Sequence, residues 1–124
     1  MRITPISNQI SFKYSSPLKT EWQKGNMPTV TKDIYGSELK PYNVTLEHII
    51  PHSQGGKTEL SNLALAVDIN NWARGDRPFK NFFSRATFEE YCDQFRKISL
   101  PNFDGKRYIE ALRETVERVI KNGH

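Results

Sequence analysis

The chain has 124 residues, 36% of them apolar and 26% charged, with 18 basic against 14 acidic side chains and a formal charge of +4. That length suits one domain, since domains run to roughly 100–150 residues. With a mean hydropathy of −0.67, no stretch approaches the ~20 apolar residues of a membrane span.

Met1–Pro28 is polar, with Ser7, Ser11, Ser15 and Ser16 and three prolines. It reads as an extended arm, and Met1–Tyr14 lacks the continuous apolar run of a secretory signal. Residues 29–124 are expected to form the domain proper. Asn43–His48 has the β-branched and apolar composition of a strand. Pro51 to Ser61 is a loop with Gly55-Gly56 in it. Leu63–Val67 is a second strand, long enough to pair with the first. Asp68 offers a cap to a short helix over Ile69–Ala73, stopped by Gly75. A helix over 87–97 is predicted from Thr87 as N-cap with Glu90 three residues on. After the break at Pro101, a last helix over 104–121 carries Tyr108, Ile109, Leu112, Val116, Val119 and Ile120 on one face. The fold class is α+β, with a core drawn from Val44, Leu46, Leu63, Leu65, Trp72, Phe82, Phe83 and the last helix.

Cys92 stands alone, which excludes an internal disulfide and a cysteine-based zinc site. It reads as a small core residue and is compatible with a cytoplasmic protein. The basic balance suits an anionic partner without demanding one. From Arg74 to Arg85 four cations (Arg74, Arg77, Lys80, Arg85) face Asp76 alone, interleaved with Phe79, Phe82 and Phe83. This is either a phosphate-facing strip or a solvated face over a phenylalanine core.

The chemistry concentrates between Leu46 and Pro78. A carboxylate and an imidazole are adjacent at Glu47-His48. Because side chains alternate along a strand, both serve one site only if the strand ends or bulges there. His48 and His52 have the i,i+4 spacing of a helical metal pair, but Pro51 and Ile49-Ile50 between them argue against a helix.

Glu47-His48, the run to Pro51, the Gly55-Gly56 loop, Asn62-Leu63, and Asn71 followed by Arg74-Gly75 together resemble the HNH endonucleases, the ββα-metal nucleases. His48 lies 14 residues before Asn62, and Asn62 lies 9 before Asn71. The resemblance implies a β-hairpin plus short helix over about 43–78. It further implies that His48 is the general base, that Asn62 braces the loop and orients that histidine, and that Glu47 and Asn71 ligate one divalent ion. Asn70 competes with Asn71 for the last role. An imidazole suits a base at neutral pH. One carboxylate and one amide oxygen leave most of an octahedral shell to water and phosphate, as Mg²⁺ prefers; Mn²⁺, Ni²⁺ and Zn²⁺ are alternatives. Arg74, Arg77, Lys80, His52 and Lys57 are the candidate nucleic-acid contacts. Glu47 departs from the commoner aspartate by one methylene, and the paired Cys-x-x-Cys knuckles of many members are missing.

The implied activity is hydrolysis of DNA phosphodiesters, double-stranded DNA before others, as in phage and mobile-element nucleases of this family. With no helix-turn-helix or zinc finger to read bases, sequence specificity would need a partner protein, a homodimer or the N-terminal arm. The rival functions are a catalytically silent binding module on the same scaffold and an RNase or toxin nuclease.

Overall fold

The computed structural model describes residues 16–123. Pro17–Gln23 forms helix α1, where an extended arm is expected. The signal is Ser16-Pro17: the serine hydroxyl accepts the Leu18 N–H at 3.2 Å, and proline at the first helical position has no N–H to satisfy. Leu18 and Met27 are buried, and Trp22 donates to the Val30 carbonyl at 2.7 Å, which folds the segment onto the domain. The remainder of the expected arm, residues 1–15, lies outside the described residues.

The centre is an antiparallel hairpin of β1 (Val44–His48) and β2 (Leu63–Val67), in register from Val44 opposite Val67 to His48 opposite Leu63. β2 is buried on both faces. It runs straight into helix α2 (Asp68–Arg74), with Val67 at the cap position. Asp68 is therefore the first helical residue and not the cap, and its carboxylate accepts the Ile69 N–H. Thr45 and Glu47 face α2 and stand opposite Ala66 and Ala64. The alternating alanines of Leu-Ala-Leu-Ala-Val thus put small side chains where the helix must lie close.

Both outer edges of the hairpin are covered, which leaves no ladder of bare backbone groups. On β1, Asn71 donates to the Leu46 carbonyl at 3.0 Å and Arg74 to the His48 carbonyl at 2.8 Å. On β2, the Tyr91 hydroxyl accepts the Leu65 N–H and Tyr108 donates to Leu63 O, the two phenols 2.8 Å apart.

Those tyrosines come from helices α3 (Arg85–Asp93) and α4 (Gly105–Lys121). α3 starts two residues before the predicted cap: Ser84, not Thr87, is its N-cap and accepts the Thr87 N–H. α4 is capped by Asp104, and its expected apolar stripe from Tyr108 to Val119 is buried. A two-residue hairpin of β3 (Ser99–Leu100) and β4 (Phe103–Asp104) joins the helices around Pro101. Phe95, Phe103, Tyr91 and Tyr108 form a cluster with ring centroids 5.0 to 6.2 Å apart. Cys92 is buried beside them, and burial pushes its thiol up to about 11. The core differs from expectation at Trp72, which is 83% exposed on the outer face of α2. The inner face of that helix is taken by the polar Asn70, Asn71 and Arg74.

Candidate active site

β1 ends at His48, the condition under which a neighbouring acid and imidazole can reach one site. The alternation still holds, so Glu47 leaves the strand toward α2 and the His48 ring leaves on the other face. Glu47 is 2% exposed. Its Oε2 accepts from the Tyr35 hydroxyl at 2.6 Å and lies 3.4 Å from Arg74 Nη1. Burial raises its carboxyl above the ordinary range, against the opposing pull of the phenol and the guanidinium. Tyr35 pays for this contact too: burial and the Glu47 charge hold its phenol strongly protonated.

His48 is half-buried. Burial, and then the neighbouring His52, lower it below 6.5, so the ring is neutral at physiological pH. Its Nε2 lies 3.0 Å from Thr58 Oγ1. Nδ1 has no hydrogen-bond partner among the described residues, so one ring nitrogen is positioned while the other is available. Thr58 is a neighbour of the candidate base that sequence reasoning missed, because a threonine in a long loop carries no signal of which strand it will fold against.

The brace of that loop is Asn62, buried immediately before β2. Its Oδ1 accepts the Ile50 N–H at 2.8 Å, and its Nδ2 donates to the carbonyls of Ile50 and Lys57 at 3.0 Å each. All three bonds go to loop backbone and none to the His48 ring. The link from Asn62 to the histidine runs through the loop, from the Lys57 carbonyl to its neighbour Thr58. Gly56 is needed for the same closure, because a Cβ there would lie 1.7 Å from the Ile50 carbonyl oxygen.

On α2 the two asparagines separate. Asn70 donates to Asp33 and Ser37 and so ties the helix to the preceding loop. Asn71 faces β1, with Nδ2 on Thr45 Oγ1 and the Leu46 carbonyl at 3.0 Å each. Its Oδ1 accepts no hydrogen bond among the described residues. Asn71 and Arg74, bonded to the carbonyls of Leu46 and His48, bracket Glu47 between them.

Arg74 departs from the expected surface phosphate contact. It is 1% exposed, and its guanidinium donates at 2.8 Å to the carbonyls of His48, Ile49 and Arg77. It also stacks 5.5 Å over the Phe79 ring. A cation this committed is a clamp on the end of β1. Arg77 is exposed but folded back on the Ala73 and Arg74 carbonyls and over Phe82. His52, Lys57 and Lys80 are exposed, and none forms an ion pair among the described residues. Arg85, the last cation of the strip, pairs with Glu117.

A divalent ion fits this donor set. Among the described residues no three His, Cys, Asp or Glu side chains converge; the residues that could hold an ion are Glu47 and Asn71. Among the described residues Glu47 Oε1 receives no side-chain donor and Asn71 Oδ1 receives none at all, while Glu47 Oε2 is anchored by Tyr35 and Arg74. Hard oxygen ligands held by outer hydrogen bonds are what Mg²⁺ or Mn²⁺ takes, with water and phosphate filling the shell. The Arg74 cation nearby weakens that affinity by like-charge repulsion.

Residues 34–73 match the family model of the HNH endonucleases. No curated protein and no solved structure matches the chain.

Proposed function

We propose that this chain, which carries an HNH endonuclease domain over residues 34–73, hydrolyses DNA phosphodiester bonds, with His48 as general base and one divalent ion between Glu47 and Asn71. The observation that carries the reading is the division at the end of β1. Glu47 and Asn71 present oxygens on the α2 side, and the neutral His48 ring stands on the other. Because β1 ends at His48, a phosphate placed at the strand end can meet both groups, with the attacking water on the His48 side and the ion on the other.

His48 takes the proton of the attacking water on its unpaired ring nitrogen, a contribution of typically ~10²–10⁴-fold. Thr58 holds the other nitrogen, and Asn62 holds Thr58's loop. Tyr35 and Arg74 keep the Glu47 carboxylate oriented. A divalent ion held by Glu47 and Asn71 would supply positive charge beside the scissile phosphate and the departing oxygen. Exposed Lys57, Lys80, His52 and Arg77 contribute sequence-independent attraction to the backbone. The reaction uses no substrate 2′-hydroxyl, so RNA is the second substrate to try. No helix among the described residues is long and apolar enough to cross a membrane.

The test is cleavage of supercoiled plasmid with Mg²⁺, Mn²⁺ or EDTA, by wild type beside His48→Ala. Metal-dependent nicking or linearisation by wild type, lost in the variant, is the expected result. DNA retention in a gel without cleavage under any metal would favour the silent binding module.

A further inference from the structure

A polar crevice of about 210 Å³ opens between the Gly55–Lys57 loop and α4, apart from Glu47, His48 and Asn71. At about 30 Å³ per water, it has room for several waters or one oxyanion. Thr115 of α4 lines it and is 4% exposed, yet its hydroxyl makes no hydrogen bond among the described residues. A buried hydroxyl is ordinarily partnered, and among the described residues this one lines the crevice without a partner, which leaves it free to meet a ligand there. Lys57 and Arg118 border the crevice from two different elements. Both are exposed, and neither is paired with a carboxylate among the described residues. The single acid there is Glu59, which engages Ser61 Oγ at 3.4 Å, so the mouth keeps a positive balance.

The crevice shares a wall with the candidate active site. Asn62 grips the Lys57 carbonyl, and the next residue, Thr58, contacts His48. We propose that this crevice is a phosphate subsite, in which Thr115, Ser61, Lys57 and Arg118 seat a non-scissile phosphate of the nucleic-acid backbone. The inference rests on the nuclease reading and adds to it a second anchoring point, on a helix outside the matched residues 34–73.

The experiment uses the full chain carrying His48→Ala, titrated with inorganic phosphate and separately with a duplex oligonucleotide, and followed by ¹H–¹⁵N spectra against a chloride control. Both ligands are expected to shift the Gly56, Lys57, Ser61 and Thr115 amides. Arg118→Gln, at an exposed position that leaves the core intact, is expected to weaken duplex binding and to lower the slope of log affinity against log salt by about one. Thr115→Val, which keeps the shape and removes the hydroxyl, should reduce the phosphate shifts. An unchanged salt slope in Arg118→Gln, or duplex binding that leaves the crevice amides in place, would overturn the subsite. If the crevice binds inorganic phosphate while wild type neither binds nor cleaves DNA, the anion site stands and the nuclease reading fails.

Discussion

Arg74 Nη1 donates to the backbone carbonyl of His48 at 2.8 Å, so the buried cation of α2 fixes the residue whose ring faces the opposite side of the strand. The same guanidinium faces Glu47 at 3.4 Å. Acid and imidazole are thus held by one side chain, through charge in one case and backbone in the other. Removing it leaves a buried carboxylate without its cation and three carbonyls without donors. Arg74→Ala should cost about 3–5 kcal/mol, the range for breaking a buried ion pair, read as a lower urea midpoint. Arg74→Lys keeps the charge and loses the planar fork, and should recover only part. A lysine variant as stable as wild type would show that the fork does not matter.

The pH dependence follows from His48. Burial and His52 hold it below 6.5, so it remains an unprotonated base down to that lower value. The acid limb of kcat/KM should therefore fall below pH 6.5, and His48→Ala should remove the activity that defines it. The stability contribution has a definite sign. The unfolded chain takes up a proton near 6.5 that the folded ring takes up only at lower pH, so this residue's contribution declines as pH falls through that window. An acid limb above 6.5 would exclude His48 as the titrating base.

Tyr35 tests the ion site without touching either proposed ligand. Its hydroxyl is the shortest contact to Glu47, and loss of such an outer hydrogen bond typically lowers metal affinity about 10–100-fold. Tyr35→Phe should show that loss in a calorimetric Mn²⁺ titration while the chain stays folded. Unchanged Mn²⁺ affinity would mean that Glu47 is not a ligand.

Asn62→Ala strips three hydrogen bonds from the loop and leaves the Ile50 N–H unpaired. Each buried group so abandoned costs about 1–3 kcal/mol. Amide exchange should accelerate over residues 50–58, with cleavage falling alongside, because Thr58 loses its fixed place against His48. Faster exchange with full cleavage would separate the loop's order from the chemistry.

Much of the fold is legible because its signals are local. The strand alternation before Pro51, the Leu-Ala-Leu-Ala-Val run and the apolar stripe from Tyr108 to Val119 each specify an element within a few turns of chain. The α1 cap was present as Ser16-Pro17, but a serine-rich polar stretch resembles a loop until Leu18 and Met27 are seen to be buried. Thr87 lost the cap to Ser84 because either hydroxyl can cap, and packing set the helix start.

By itself, the sequence determined the hairpin–helix core and the order Glu47, His48, Asn62, Asn71, since spacing along the chain decides which elements can carry them. Only the tertiary structure decided which face each polar group meets. Asn70 and Asn71 are chemically alike, and rotation about α2 sends one to Asp33 and the other to β1. Arg74 reads in sequence as a surface cation, yet it is buried because the bare carbonyls at the end of β1 and the Glu47 charge cost more unpaired than the guanidinium costs to desolvate in their company. Trp72 is exposed for the complementary reason: the inner face of a seven-residue helix had already been filled by the polar groups that the edge of β1 required.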